Sequence, residues 1–256
     1  METRSEQGFE YIAGRWPLDS TKATIIFIHG SGGTSRFWNS QVEALSNDVN
    51  TVALDLPGHG RSKTQGFNRV EDYAAAVVEF IESIEAPKPV PCGFSFGGAI
   101  VLQLLLDYHR RFQTGILVDT GAKLKVLPAF FDQIENDYAG FVETICNYAA
   151  SDKSAPEVIQ PFREDMQTCR PSVTYADYVA CDGFDVIEHL SEIQVPVLVV
   201  TAEDDKLTPP KYGDFLEKHI QKAFRANIKN AGHIAPMEKP DEVNKAIFEF
   251  LNKVNL

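Results

Sequence analysis

The chain has 256 residues, 44% of them hydrophobic, with a formal net charge of −12. That length fits one large α/β domain, or one domain with an insertion, and it can bury a core without disulfide or metal staples. The acidic balance argues against nucleic acid and anionic membranes as partners.

No stretch approaches the roughly 20 apolar residues of a membrane span. The first residues, METRSEQGFEYIAGRW, show neither an apolar run of signal-peptide length nor a small-residue cleavage site. Four cysteines, Cys92, Cys146, Cys169 and Cys181, match no zinc or CxxC spacing. Reduced structural thiols and a cytoplasmic location are therefore expected.

Residues 24–29 (TIIFIH) form a continuous apolar strand pattern, and 37–45 carry helical spacing. A second strand is expected at 51–55. Residues 70–84 read as an amphipathic helix, with Tyr73, Val77, Phe80, Ile81 and Ile84 on one face. Strands at 90–94 and 115–119 flank a very apolar helix over 99–106. The alternation predicts a mostly parallel sheet flanked by helices, an α/β fold.

From about residue 121 to 193 the strand signal stops. Leu127, Phe130, Phe131, Ile134, Tyr138 and Phe141 recur at helical intervals, and prolines at 156, 161 and 171 punctuate the segment. The βα rhythm resumes with a strand at 195–201, a helix at 210–220, a weak strand at 224–228 and a helix at 241–251. The expected organisation is a core domain of residues 1–120 and 194–256, interrupted by a helical block over 121–193. Peripheral packing is the plainer reading of that block; a cap over an active site is the functional one.

Gly93-Phe94-Ser95-Phe96-Gly97-Gly98 follows an apolar strand and opens an apolar helix, the G-x-S-x-G arrangement. A tight strand-to-helix turn strains its middle residue and crowds the positions two residues either side. It also sets Ser95 at a helix N-terminus, where developing negative charge is favoured. Acyl transfer needs two backbone N–H donors aimed at an oxyanion. Phe96 supplies one by position. The loop His29-Gly30-Ser31-Gly32-Gly33 supplies the other, from Ser31 or alternatively Gly32. That loop lacks the phosphate-binding G-x-x-x-x-G-K-[ST] pattern.

Of six histidines, only His233, in Asn230-Ala231-Gly232-His233, sits on a glycine-preceded loop at the carboxyl end of a sheet strand. His109, His189 and His219 lie in polar helical contexts, and His29 and His59 read as structural. The general base is therefore His233. Asp204, Asp205 and Asp119 compete as the acid that orients it.

Together with Asp55-Leu56-Pro57-Gly58-His59-Gly60-Arg61-Ser62, these motifs resemble the α/β-hydrolase superfamily, in its order and over essentially the whole chain. The resemblance implies an α/β-hydrolase fold, usually of eight strands, with a helical cap after the sixth, which here ends near Asp119. Its acid segment, Gly-x-x-Asp-x-x-x-Pro, aligns with residues 202–209, with Ala202 in the glycine place. That alignment selects Asp205. The serine nucleophile sets the chain apart from the haloalkane dehalogenase branch, which uses aspartate.

The implied function is hydrolysis of a carboxylic ester-like bond through an acyl-enzyme, with Ser95, His233 and Asp205 as a triad. A C–C bond hydrolase, a thioesterase or a lyase would use the same scaffold. A ligand-binding protein that kept the fold is the non-enzymatic alternative. No metal or organic cofactor is implied. Phe37, Trp38, Phe94, Met237 and the aromatic cap suggest a small-molecule substrate with an apolar acyl or aromatic group, with ordinary core packing as the alternative.

Overall fold

A computed structural model describes residues 1–256. Its centre is one eight-stranded sheet made of β1 (Glu2–Glu6), β2 (Phe9–Ala13), β3 (Thr24–Ile28), β4 (Asn50–Asp55), β5 (Pro89–Phe94), β6 (Gly115–Val118), β7 (Val197–Ala202) and β8 (Ala223–Ile228). Across the sheet the order is β1-β2-β4-β3-β5-β6-β7-β8. The strands from β4 to β8 pair in parallel, and β1–β2 and β2–β4 are antiparallel. This is the α/β-hydrolase architecture.

Every residue of β3, β4, β6 and β7 is buried. Strands covered on both faces need apolar side chains on both, which is why they read as unbroken apolar runs. In β3, Ile26 and Ile28 enter the core on one face, and Ile25 and Phe27 enter the core on the other. Helices α2 (Val70–Ser83), α3 (Phe96–Asp107) and α8 (Pro210–His219) cover the first face. Helices α1 (Asn39–Leu45) and α10 (Pro240–Lys253), preceded by the single turn α9 (Ala235–Glu238), cover the second.

Between β6 and β7 lie α4 (Pro128–Asn136), α5 (Tyr138–Ala149), α6 (Gln160–Thr168) and α7 (Pro171–Gly183). Each of α4, α6 and α7 has a proline in its first turn, where a missing N–H costs no intrahelical bond.

The sequence pattern predicts no element before residue 24, yet the structure opens with a β-hairpin. Glu6 pairs with Phe9, so Gln7 and Gly8 form a two-residue turn, both at positive φ. Gln-Gly lacks the Asn-Gly or Asp-Gly signature of such turns. The outer strand β1 (ETRSE) has no buried residue, so it carries no apolar alternation to read.

Parallel strands deliver their carboxyl ends to one edge of the sheet. The loop after β3, Ser95 after β5, Asp119 after β6, Asp205 after β7 and His233 after β8 all collect there.

Candidate active site

Ser95 joins β5 directly to α3, with φ 52° and ψ −115°. Positive φ is uncommon for a residue with a side chain, so surrounding structure must hold it. Its N–H donates to Val118 O at 2.9 Å, and its carbonyl accepts from Thr120 Oγ1 at 2.8 Å. The close approach explains both motif glycines. A Cβ at Gly93 would lie 2.0 Å from Gly97 O, and one at Gly97 would lie 2.3 Å from Ile28 O.

His233 Nε2 lies 3.0 Å from Ser95 Oγ, and His233 Nδ1 lies 2.9 Å from Asp205 Oδ2. The chemistry of the groups fixes the protons. A carboxylate only accepts, so Nδ1–H donates to Asp205, leaving Nε2 bare to accept the Ser95 hydroxyl proton. Asp205 is pinned further. Its Oδ1 accepts from the N–H groups of Leu207 and Thr208 at 2.8 and 2.9 Å, and its Oδ2 accepts from Thr208 Oγ1 at 2.8 Å. Burial opposes the charge on Asp205, but His233 and the Thr208 donors outweigh it and hold the carboxyl below its ordinary range.

The other two aspartates sit differently. Asp204 accepts from Ser151 Oγ at 2.6 Å and pairs with Lys153 at 3.1 Å. Asp119 is wholly buried at positive φ, and neither carboxyl oxygen makes a well-formed hydrogen bond. Burial first, then the charge of Asp205, pushes its carboxyl well above the ordinary range.

The loop after β3, expected from sequence to hold an oxyanion donor, is set by His29. Leu56 N–H donates to His29 Nε2 at 3.1 Å, so the ring proton is on Nδ1, which donates to Gly30 O at 2.8 Å. Burial, with the neighbouring charge of His59, lowers His29 to about 4 and keeps it neutral. Gly33 N–H also donates to Gly30 O, at 3.1 Å. A trans peptide is planar, so anchoring this carbonyl aims the Ser31 N–H the opposite way. The Ser31 N–H has no protein acceptor, whereas the Gly32 N–H is committed to Asp177 Oδ2 at 3.1 Å. Phe96, at the start of α3, offers an N–H that no helical carbonyl can reach.

His59 is buried and ties the neighbouring loop to α7. Its Nε2 donates to Asp177 Oδ2 at 2.8 Å and its Nδ1 to Pro57 O at 3.1 Å. Both partners only accept, so both ring nitrogens carry protons. Burial resists that charge, but the Asp177 carboxylate prevails and raises His59 above its ordinary value.

Ser95, His233, Ser31 and Thr208 open into a cavity of about 130 Å3. Its apolar walls include Phe94 from the sheet edge and Phe130, Ile145, Phe162 and Met166 from the helical block, with the Tyr178 ring on the same block. Of the aromatic residues singled out from sequence, Phe94 and Phe130 face this cavity. Phe131 instead packs edge-on against Tyr175, their centroids 5.3 Å apart. Phe37 and Trp38 are core, Phe37 stacking on Phe94 at 4.3 Å, and Met237 packs against the same core. Sequence reasoning missed Phe162, Met166 and Tyr178, because a helical period does not say which face of a helix meets the cavity, and it missed Asp177, whose partners lie far away in the chain. No group of three His, Cys, Asp or Glu side chains is arranged to hold a metal, and no helix is long and apolar enough to cross a membrane.

The profile of the alpha/beta hydrolase family matches residues 25–246. The chain is 24% identical over 242 residues to 3-oxoadipate enol-lactonase 2 of Acinetobacter baylyi, covering 91% of this chain and 90% of the relative. It is 22% identical over 234 residues to the pimeloyl-[acyl-carrier protein] methyl ester esterase of Nitrosomonas europaea, covering 85% and 91%. Among solved structures, a thermophilic esterase superposes with a TM-score of 0.84 at 31% identity, covering 99% of this chain and 97% of that one.

Proposed function

The chain belongs to the alpha/beta hydrolase family, and from that premise we propose that it is a serine esterase acting through an acyl-enzyme. The observation that carries this reading is the continuous chain from Asp205 through His233 to Ser95, at 2.9 and 3.0 Å, opening into an apolar cavity.

His233 takes the Ser95 proton as Oγ attacks the ester carbonyl, and Asp205 stabilises the imidazolium that forms. The carbonyl oxygen becomes an oxyanion, held by the N–H groups of Phe96 and Ser31. His233 then passes its proton to the departing alkoxide. Water, activated by the same imidazole, releases the acid and restores Ser95 Oγ–H. No step calls on a metal or organic cofactor. Ser31 is preferred over Gly32 as the second donor because the Gly32 N–H is already bonded.

The helical block of residues 121–193 acts as the cap, since its side chains furnish much of the cavity wall. The space is close to the 150 Å3 of an engineered apolar cavity that binds benzene. A short acyl chain or a single ring therefore fits, and esters, methyl esters and lactones of small acids are the substrate class. The names of the enol-lactonase and methyl ester esterase relatives support lactone and methyl ester chemistry, though not the size of the acid.

The test is a panel of p-nitrophenyl esters of rising chain length, with thioesters and lactones, alongside fluorophosphonate labelling. Short esters should turn over fastest, and the label should sit on Ser95. Preferential cleavage of thioesters would move the reading to a thioesterase. Absence of both label and turnover in the folded protein would leave a ligand-binding scaffold.

A further inference from the structure

We propose that Asp177, on α7 of the helical block, is a positioning residue that holds the oxyanion loop in its working geometry; this rests on the serine-esterase reading above.

Asp177 is fully buried, and its carboxylate accepts hydrogen bonds from three separate segments. Gly32 N–H donates to Oδ2 at 3.1 Å, His59 Nε2–H donates to Oδ2 at 2.8 Å, and Tyr73 O–H donates to Oδ1 at 2.8 Å. An aspartate inside a helix is a poor choice for the helix itself. Buried charge is tolerated only when it is paired and hydrogen-bonded, and the doubly protonated His59 provides the pairing. The carboxylate gives α7 a grip on a backbone N–H that an apolar side chain could not supply.

The consequence concerns Ser31. The peptide before it is anchored from the sheet side, because Gly30 O accepts from His29 and Gly33. The peptide after it carries the Gly32 N–H and is anchored from the helical block by Asp177. Gly32 stands at φ +67°, and a glycine has many other conformations open to it. Without Asp177, the second anchor is gone and the Ser31 N–H is free to swing.

The rest of α7 supports the same contact. Thr174, Asp177 and Cys181 are three and four residues apart and share one helix face. Thr174 Oγ1 sits beside Gly32, and Cys181 Sγ lies 3.8 Å from Ser31 Oγ. One face of the helical block is therefore laid on the oxyanion loop, and the pocket wall and the oxyanion donor are set by the same helix.

The experiment compares Asp177→Ala, Asp177→Asn and Tyr73→Phe in the full chain with one activated ester. It reads kcat, KM, Tm and the affinity for a boronic acid that forms a tetrahedral adduct on Ser95. A loosened donor harms the transition state and not the ground state. Asp177→Ala should lower kcat about 10- to 100-fold, less than the roughly 10²–10³ of deleting a donor outright. KM should stay within about threefold, and boronate affinity should fall with kcat. Asp177→Asn keeps an acceptor for Gly32 but loses the charge that strengthens the bond, so its kcat should lie between wild type and Ala. Tyr73→Phe removes a bond to Asp177 that does not touch the loop; it should lower Tm and leave kcat unchanged. Should Asp177→Ala not fold, the Asn and Tyr73→Phe pair decides. Wild-type kcat and boronate affinity in Asp177→Asn, or an equal kcat loss in Tyr73→Phe, overturns the proposal while the hydrolase reading stands. A wild type that neither turns over esters nor labels at Ser95 overturns both.

Discussion

Asp204 and Asp205 are consecutive, yet only Asp205 reaches the imidazole of His233. Asp205 is 5% exposed and bonds His233 Nδ1 at 2.9 Å, whereas Asp204 faces Ser151 and Lys153. Replacing Asp205 by Asn keeps the shape but offers His233 a donor, which favours the wrong tautomer. In a comparable triad that substitution costs about 10⁴ in kcat, and a loss of that order is expected here. Asp204→Asn should change kcat only a few-fold, because the bonds it weakens lie away from the imidazole. The check is kcat for both variants on one activated ester. A crippled Asp204→Asn beside an active Asp205→Asn would reverse the assignment.

Ser95→Ala should abolish turnover and leave the fold intact. Its backbone is held by Val118 O and Thr120 Oγ1 rather than by its own hydroxyl. Losing the nucleophile of a triad costs on the order of 10⁶ in kcat. Steady-state kinetics and a thermal melt test both halves. Ester turnover near the wild-type rate in a folded Ser95→Ala protein would remove Ser95 from the mechanism.

How far the sequence reveals this arrangement depends on what each residue needs. The strands from β3 to β7 are legible because burial on both faces leaves unbroken apolar runs, TIIFI being one. The turn around Ser95 is legible because close backbone contact demands glycines at fixed offsets. The opening hairpin is not, since its outer strand is polar and its turn is Gln-Gly. Asp177 is hidden for a different reason. It is one of two acids in α7, and its meaning lies in partners 104 to 145 positions away. The choice between Ser31 and Gly32 likewise turns on the Asp177 contact, which no local pattern encodes.

Phe130 and Phe131 are adjacent on α4 and should respond oppositely to trimming. Phe130 lines the cavity and meets Phe141 edge-on at 5.9 Å, while Phe131 packs on Tyr175. Phe130→Ala enlarges the space beside Ser95, so relative kcat/KM should shift toward longer acyl chains. Phe131→Ala should leave the chain-length profile unchanged and show its effect, if any, in Tm. The measurement is kcat/KM across p-nitrophenyl esters of increasing length. Matching profiles for both variants would mean that Phe130 does not bound the acyl site.

Asp119 gives the chain a pH signature of its own. It is wholly buried, without a well-formed hydrogen bond to either carboxyl oxygen. Burial and the nearby charge of Asp205 raise its carboxyl well above the ordinary range. An unfolded chain returns it to about 3.9. A folded-state pKa above the unfolded one contributes stability that is full below the unfolded value and is lost as pH rises through the folded value. Asp205 acts in the opposite sense. Its carboxyl is depressed in the folded protein, so its contribution is present above the unfolded pKa and is lost as pH falls through the folded value. The two effects therefore occupy separate windows, Asp119 above about pH 4 and Asp205 below it. Asparagine suits position 119 because it tolerates the positive φ there and cannot ionise. Asp119→Asn should therefore melt higher than wild type at neutral pH, with the gap closing as pH falls toward 4. Its kcat should change only a few-fold, since no hydrogen bond joins Asp119 to the imidazole. Thermal melts of the two proteins from pH 4 to pH 8, with kcat on one ester, test both statements. A Tm difference that does not vary with pH would show that Asp119 ionises normally in the folded chain. A kcat loss approaching that of Asp205→Asn would make Asp119 part of the relay to His233.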